Sequence, residues 1–414
     1  MASSPPQPSP GSPPTTTTST PPAPALPPTM RAWQFTSTHG GLEKNLKLNG
    51  TAALPPHDAK ALGRDRVLVK VVAAALNPVD YKIAELPVVG RLAIRTPSSP
   101  GLDFAGRVVA VGVDGGGGGG GAPSAEQEDS VQVKVGQMVF GRLDQPTRFG
   151  ALAEYTVARR AGLAVVPEGV AARDAACVGT AGLTAYQAIA PNVKRADSGS
   201  ARQPRVFING GSGGTGVWGI QIAKALGCRV VASCSGKNAE LCRSLGADEV
   251  LDYTKEDVLG ALKKMASSTG TPPTATATGA TGGTAGSPDA DDDQKFDLVV
   301  DNVGTADSLY WQCHHYTSPG AKYVQVGAGM SARAVLQLAL KALWPGFLGG
   351  GKRKFHMMMV SSDPAQLAQI AQWMVQGKVK AVVDEVVPME DAPRAFEKLK
   401  TGHARGKIVV AVSE

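Results

Sequence analysis

Two patterns of apolar residues divide the chain. From residue 66 to about 171, short apolar runs such as RVLVKVVAAAL (66–76) and AGRVVAVGV (105–113) are separated by Gly, Pro and Asp turns, which is typical of antiparallel β structure. From about Asp174, apolar strands alternate with helical patterns, and FDLVVDNVG (296–304) and AKYVQVGAG (321–329) end in glycine, as buried parallel strands do. The sequence therefore predicts an α/β protein with a mainly antiparallel β domain and a Rossmann, doubly wound parallel-sheet domain.

Three segments lack any apolar periodicity. Residues 1–29 are mostly Pro, Ser, Thr and Ala and are predicted to be a disordered tail, because they bury too little apolar surface to offset the entropy of ordering. Residues 114–130 are predicted to form a flexible insertion and residues 267–294 a low-complexity insertion, since each separates segments of regular structure.

Composition limits the functional class. The net charge of +7 is not concentrated in a long Lys/Arg stripe, so we expect no nucleic-acid partner. The five cysteines include no C-x-x-C pair and are expected to be reduced thiols. No run of 18 apolar residues and no secretory or Arg-rich transit pattern is present, so a cytoplasmic location is expected, with peripheral membrane or mitochondrial association left open.

The glycine run NGGSGGTGV (209–217) is the first candidate site. Gly211, Gly213 and Gly216 have the spacing G-x-G-x-x-G, an apolar strand precedes them and an amphipathic helix follows. Such glycines let the backbone approach a pyrophosphate at the positive end of the helix. A glycine-rich turn without a ligand is the alternative. The predicted cofactor-binding residues of this loop are Gly211, Ser212, Gly213, Gly214, Thr215, Gly216 and Val217.

The end of the next strand predicts which dinucleotide is bound. An acidic residue there would hold the ribose hydroxyls of NAD, but the sequence is VVASCSGKNAE. Hydroxyl, amide and ammonium donors suit a 2′-phosphate, so NADPH is the predicted cofactor. The residues assigned to this pocket are Ser233, Ser235, Lys237, Asn238 and Tyr253. A solvated Lys237 and an ordinarily packed Tyr253 are the alternatives.

Seven motifs together resemble the medium-chain dehydrogenase/reductase superfamily, in particular its zinc-free quinone oxidoreductase branch. They are LNPVDYKI (76–83), PGLDFAGRVVAVG (100–112), VGTAGLTAYQA (178–188), NGGSGGTGV (209–217), LGADEVLDY (245–253), FDLVVDNVG (296–304) and GHARGKIVV (402–410). Within that branch the chain is most similar to quinone oxidoreductase homologues of chloroplast envelopes and their fungal relatives. The resemblance implies a GroES-like catalytic domain formed by residues 30–171 and 363–414, which flanks a Rossmann NADPH-binding domain of residues 172–362, with the active site in the cleft.

The resemblance also assigns residues. Further cofactor contacts carried over by position are Thr180, Thr184, Asn302, Val303, Gly304, Val326 and Gly327. Zinc-dependent members have a Cys and a His-Glu pair where this chain has Asn77-Pro78 and Leu102-Asp103, so no metal is predicted. Without a Lewis acid, hydride transfer to an electrophilic quinone or α,β-unsaturated carbonyl is favoured over alcohol oxidation.

Catalysis is expected on the 77–82 segment. The residues named for it are Asn77, Tyr81 and Lys82, with Tyr81 as the candidate acid, while a purely structural turn and helix cap are the alternative. The predicted activity is NADPH-dependent reduction of quinones, enones or enals. A trans-acting enoyl reductase of polyketide or fatty acyl chains and a catalytically idle NADPH-binding protein remain as alternatives, and the family resemblance is compatible with a homodimer.

One segment fits none of these roles. Residues 334–354 combine an apolar helical stretch, AVLQLALKALWPGF, with the basic cluster GGGKRKF. A cleft lid or a subunit contact is one interpretation, and weak contact with an anionic membrane surface is the other.

Overall fold

The computed structural model describes residues 26–86, 90, 92, 94–113, 132–193, 202–267, 294–329, 331–344 and 346–414. The predicted tail at 1–29 lies outside these residues except for its last four, of which Thr29 begins the first strand. The predicted insertion at 114–130 lies wholly outside them, and the one at 267–294 lies outside them except for its two end residues.

The N-terminal part of the chain forms most of a seven-stranded sheet. β1 (Thr29–Gln34) and β2 (Lys47–Ala53) form a separate two-stranded sheet. The strands that this part contributes to the seven-stranded sheet are β3 (Arg66–Ala75), β4 (Asp103–Val111), β5 (Met138–Arg142), β6 (Tyr155–Arg159) and β7 (Leu163–Val165). β3, β4, β5 and β7 pair antiparallel in that order, and β6 pairs with β3. Alternating apolar residues of β3 and β4 pack into a core with Trp33, Phe35 and Phe396.

The middle of the chain forms a six-stranded sheet in which every pairing is parallel. Its strands are β8 (Arg205–Asn209), β9 (Arg229–Cys234), β10 (Glu249–Asp252), β11 (Phe296–Asp301), β12 (Thr317–Gln325) and β13 (Lys354–Met357). Their order is β10-β9-β8-β11-β12-β13. All five residues of β8 are buried because separate apolar clusters cover the two faces of the sheet. The predicted combination of a mainly antiparallel β domain and a doubly wound parallel sheet is confirmed.

The C-terminal segment returns to the first sheet. β14 (Val383–Pro388) pairs parallel with β15 (Lys407–Ala411), and β15 pairs antiparallel with β3. The α-helices within the described residues are Leu42–Asn45, Ala59–Leu62, Pro78–Glu85, Ala172–Ala176, Gly179–Ile189, Gly214–Ala225, Ala239–Ser244, Val258–Ser267, Asp307–Trp311, Ala332–Leu343, Pro364–Val375 and Ala392–Lys400. The exact domain boundaries given above stay a prediction.

Candidate active site

A cleft of about 700 Å³ lies between the two sheets. One wall is formed where β8, β9 and β11 end, and it includes Asn209, Cys234 and Asn302. The opposite wall carries Asn77 and Lys407. Ligands of doubly wound sheets bind outside the carboxyl ends of the strands, so this is the expected place for a nucleotide.

The predicted glycine loop forms the edge of this cleft, and its glycines have different roles. A Cβ on Gly216 would lie 2.1 Å from the carbonyl oxygen of Gly210, so this glycine permits the close packing of helix on strand. A Cβ on Gly213 would meet nothing nearer than 3.6 Å, and Gly213 lines the cleft. Gly213 therefore leaves the backbone open to a ligand at the N-terminus of the helix Gly214–Ala225.

Some of the other loop residues line the cleft and others are packed away from it. Ser212, Gly214 and Thr215 line the cleft, whereas Gly211 and Val217 do not; a Cβ on Gly211 would lie 2.9 Å from the Ala232 side chain. The N–H of Gly406 donates to the carbonyl oxygen of Ser212 at 2.9 Å. This bond joins the returning C-terminal segment directly to the glycine loop.

The pocket after β9 contains four of its five predicted residues. Ser235, Lys237, Asn238 and Tyr253 line the cleft, and no hydrogen bond or ion pair within the described part of the chain engages the exposed Lys237 ammonium. The Asn238 amide nitrogen donates to both Ser212 and Ser235 at 3.2 Å.

The structure does not bring Ser233 to the cleft wall. Ser233 is fully buried, and its hydroxyl donates to Asn209 Oδ1 at 2.6 Å and accepts from the Gly210 N–H. Its observed contacts hold the turn that begins the glycine loop, because they join the ends of β8 and β9.

The residues after β11 and β12 meet at the same edge. Asn302 and Val303 line the cleft, and Val326 lies half-buried outside it. A Cβ on Gly304 would lie 2.0 Å from the Gly327 carbonyl oxygen, and one on Gly327 would lie 2.2 Å from the Asn302 carbonyl oxygen. These two glycines therefore allow the two loops to pack against each other.

A buried polar network forms the opposite wall. Lys407, with 2% of its surface exposed, donates to the Leu76 carbonyl oxygen at 2.9 Å and to the Asn77 side-chain oxygen. Asn77 donates to Asp103 Oδ2 at 2.8 Å, and the Lys407 ammonium lies 3.6 Å from the same oxygen. Both polar ends of the Asn77 amide are therefore fixed.

Asp103 also orders the helix Gly179–Ile189. Its Oδ1 accepts from the Thr180 N–H at 2.8 Å and from the Thr180 hydroxyl at 2.6 Å. A Cβ on Gly179 would lie 2.6 Å from the same carboxylate oxygen, which explains a glycine at this helix start. Thr184 is buried one turn further on, and neither Thr180 nor Thr184 lines the cleft, although Ala181 between them does.

Asp80 completes the network behind Asn77. Its carboxylate accepts from the N–H groups of Asn77 at 2.7 Å and Leu102 at 3.0 Å. Burial, and next the nearby Asp103 carboxylate, raise the pKa of Asp80 to about 7. Two acids and one lysine therefore lie buried close together, and burial favours the protonated form of Asp80.

The predicted catalytic residues are separated by the structure. Asn77 lines the cleft, but Tyr81 and Lys82 do not. The Tyr81 ring lies 5.1 Å from the Lys400 ammonium, and burial raises the pKa of its phenol. Lys82 donates to the Ala328 carbonyl oxygen at 3.0 Å, across the junction with the β12 loop, and burial lowers its pKa.

Sequence reasoning missed two residues of this wall. Asp103 was noted only because it stands where zinc-dependent members have a metal ligand, and Lys407 only because it lies in a family motif. A lysine inside the apolar run KIVVA was the available signal, because a lysine in a buried strand needs a carboxylate or carbonyl partner.

Comparison with known proteins decides the family. Residues 63–168 match the family model described as "Alcohol dehydrogenase GroES-like domain", and residues 245–410 match "Zinc-binding dehydrogenase". The chain is 48% identical over 395 residues to "Trans-enoyl reductase pgmF" of Aspergillus terreus, which covers 95% of this chain and 99% of the relative. The chain belongs to the medium-chain dehydrogenase/reductase superfamily.

Other relatives agree with the quinone oxidoreductase branch of this superfamily. The chain is 31% identical to "2-methylene-furan-3-one reductase" of Solanum lycopersicum, over 93% of this chain and 80% of the relative. The solved structure of the quinone oxidoreductase from Coxiella burnetii is 27% identical, covers 93% of this chain and 99% of that chain, and superposes with a TM-score of 0.67. The predicted family and its GroES-like domain are therefore confirmed.

The cleft fits the nicotinamide dinucleotide that this superfamily binds. As a member of the superfamily, the protein is an NAD(P)-dependent oxidoreductase. Besides the open backbone at Gly213, two buried side-chain oxygens among the cleft residues, Asn238 Oδ1 and Asn302 Oδ1, have no hydrogen-bond partner. Buried polar atoms are normally paired, so these oxygens are suited to ligand hydroxyl or amide groups. When bound, the reduced cofactor supplies a hydride.

The described residues do not fit the zinc ion named in one family model. Within them, no group of three or more His, Cys, Asp or Glu side chains could hold a metal. The amide of Asn77 and the side chain of Leu102 offer no thiolate or imidazole ligand. No metal is therefore used in the chemistry proposed below. No helix in the described part of the chain is long and apolar enough to cross a membrane.

Proposed function

We propose that the protein uses NADPH to reduce the carbon–carbon double bond of α,β-unsaturated acyl thioesters carried by another protein. The 48% identity to a trans-enoyl reductase over nearly the whole of both chains supports this substrate class. The observation that carries the proposal is the rigid Asn77–Asp103–Lys407 wall, which faces the glycine loop across the cleft.

The chemistry requires a charge to be stabilised and a proton to be added. Hydride addition to the β-carbon leaves an enolate, whose oxygen needs a positive or hydrogen-bonding environment and whose α-carbon needs a proton. Lys407 holds the side-chain oxygen of Asn77, and Asp103 holds its amide nitrogen. The fixed amide forms a surface against which a planar acyl group can be oriented.

Tyr81 is the predicted acid, but Lys82 is the better proton donor of the two. Its pKa is lowered by burial, which makes the ammonium a stronger acid, whereas the raised pKa of Tyr81 makes the phenol a weaker one. Lys82 also contacts the loop after β12 through Ala328. We therefore propose that Lys82 supplies the proton through water, because its side chain does not itself line the cleft, and that Tyr81 packs against Lys400.

The preference for NADPH is proposed from the pocket after β9. The exposed Lys237 ammonium lies beside Ser235, Asn238 and Tyr253 on the cleft wall. A 2′-phosphate placed there would gain a charge-assisted hydrogen bond that NADH cannot make.

A second candidate is reduction of small enones, enals or quinones in the same cleft. The name of the tomato relative, "2-methylene-furan-3-one reductase", favours this acceptor class. For an enone or enal, hydride adds to the β-carbon and a proton to the α-carbon as above, whereas a quinone takes up the hydride and one proton to give the quinol.

The test measures NADPH consumption by absorbance with purified full-length protein and three acceptors: a 2-alkenoyl thioester of N-acetylcysteamine, a 2-alkenal and an ortho-quinone. The proposal predicts the highest kcat/KM with the thioester. It also predicts that Lys82→Met lowers kcat by about 10²-fold or more with little change in KM, while Lys378→Met, at an exposed lysine distant from the cleft wall, changes neither. A higher kcat/KM with the alkenal or quinone would favour the second candidate, and NADPH binding without any turnover would refute both.

A further inference from the structure

The helix Ala332–Leu343 has the reverse of the usual orientation. Its lysine faces inward: Lys341 is 3% exposed, pairs with Asp307 at 2.8 Å and donates to Gln325 at 3.0 Å. Three of its large apolar residues face outward, with 59% of Val335, 58% of Leu336 and 79% of Leu343 exposed, while Leu338 and Leu340 are half-buried. A surface helix normally buries its apolar side, so this outer face is suited to contact with something apolar.

The turn that follows extends the apolar surface. Trp344 is 45%, Phe347 86% and Leu348 63% exposed. The Trp344 indole nitrogen donates to the Leu348 carbonyl oxygen at 2.9 Å, which holds the turn in one shape. We call Leu343, Trp344, Phe347 and Leu348 the apolar tip. Side chains this exposed project from the surface rather than line a groove.

Basic residues follow the apolar tip after three glycines. Lys352, Arg353 and Lys354 form what we call the basic segment, of which both lysines are exposed. The Tyr310 hydroxyl lies 3.3 Å from the carbonyl oxygens of both Lys341 and Arg353, so the basic segment lies beside the helix.

The surrounding charge has one sign. The sequence from residue 308 to residue 362 contains no Asp or Glu. The pKa of His314 is lowered by burial and next by His315, Lys352, Arg353 and Lys263, which shows that positive charges dominate around the basic segment. Within the described ranges, the acid that pairs with this helix is Asp307, which is bound to Lys341.

We propose that the apolar tip and the basic segment together bind the surface of an anionic lipid bilayer. Projecting Trp, Phe and Leu side chains can enter the boundary between headgroups and acyl chains, and adjacent lysines are attracted by acidic headgroups. A second copy of the chain is the alternative occupant of this face, and sedimentation velocity distinguishes it from a bilayer. The attachment is peripheral.

The test is sedimentation of the full-length protein with vesicles of phosphatidylcholine alone, or of phosphatidylcholine containing a minority of phosphatidylserine. Binding is expected to the mixed vesicles and to weaken as salt is raised. Phe347→Ser with Leu348→Ser should reduce binding to background. Because each basic residue near an anionic surface strengthens binding by about fivefold, Lys352→Gln with Lys354→Gln should weaken it by about 25-fold.

A matched control is Val375→Ser with Lys378→Gln, which changes one exposed apolar and one exposed basic residue at the end of the helix Pro364–Val375. It should bind mixed vesicles as the unchanged protein does, and all three variants should keep the NADPH affinity and unfolding midpoint. Equal binding to both kinds of vesicle, no binding, or equal loss in the control would overturn the proposal. Sedimentation velocity provides a further check, because a dimer that Phe347→Ser with Leu348→Ser converts to monomer would show that a second copy covers the face.

Discussion

Replacement of Lys407 by methionine is the perturbation that most directly tests the buried wall. Methionine has nearly the length of the lysine stem and no charge, so the change removes the ammonium with little loss of packing. Lys407 is 2% exposed and Asp103 is fully buried, which means that water cannot replace the lost partner without rearrangement.

The expected loss in the free energy of unfolding follows from the interactions that Asp103 and Asn77 keep after the substitution. Asp103 would keep its bonds from Asn77 and Thr180 but would lose the cation 3.6 Å away, and the Leu76 carbonyl oxygen and Asn77 side-chain oxygen would lose a donor. A buried charge that loses its partner typically costs about 3–5 kcal/mol. We therefore expect Lys407→Met to lower the free energy of unfolding by about that amount.

The assay is equilibrium unfolding in urea, followed by circular dichroism, for the single variant and for Lys407→Met with Asp103→Asn. The double variant should be less destabilised than the sum of the two single changes by about 1–3 kcal/mol, because it also removes the unpaired charge. Lys398→Met removes a partly exposed lysine that pairs with Asp384 and Glu385, and should cost less than about 1 kcal/mol. If Lys407→Met also costs less than about 1 kcal/mol, or the two changes are additive, the ionic account of this wall is refuted.

Three further predictions concern pH, the glycine loop and cofactor choice. Because the pKa of Asp80 is raised from 3.8 to about 7 in the folded state, the folded protein holds this proton more tightly, and stability should fall as pH rises from about 4 to about 7, by up to about 1.4 kcal/mol per pH unit. Asp80→Asn should abolish this fall, and an unchanged pH slope of the unfolding free energy would contradict the assignment. Gly216→Ala places a Cβ 2.1 Å from the Gly210 carbonyl oxygen and should lower both the melting temperature and the affinity for NADPH. Gly213→Ala should lower the affinity alone. Fluorescence titration measures the affinity and thermal unfolding measures the melting temperature, so together they distinguish the two variants. Lys237→Ala should raise the Kd for NADPH about tenfold and leave that for NADH unchanged, since in the proposed binding mode the ammonium would contact the 2′-phosphate, which NADH lacks; equal effects on both would refute the phosphate role.

Much of the fold could be predicted from the sequence because its signals are local. The strand at 205–209, the glycines after it and the helix that follows could be predicted from periodicity and spacing. Gly227, two residues after the end of that helix, has a positive φ of 82°, which glycine adopts readily at such a position. The apolar run HMMMV (356–360) favours a buried strand, but β13 ends at Met357 and lies half-exposed at the sheet edge.

The candidate site was less predictable because its contacts join distant parts of the chain. Lys407 and Asn77 are 330 residues apart, and Asp103 reaches Thr180 across 77 residues. Whether a hydroxyl faces the cleft also depends on the tertiary structure: Ser235, just after β9, lines the cleft, while Ser233, two residues earlier and within the strand, bonds to Asn209 inside the protein. The proposed roles of these residues and the cytoplasmic location stay predictions.

The most direct test of the central claim follows the hydride itself. The protein is incubated with NADPH carrying deuterium at the transferable C4 position and a 2-alkenoyl thioester, and the product is analysed by mass spectrometry and NMR. The account predicts a saturated thioester with one deuterium at the β-carbon and a solvent-derived proton at the α-carbon. Recovery of the unchanged alkenoyl thioester, or of a saturated product without deuterium, would contradict it.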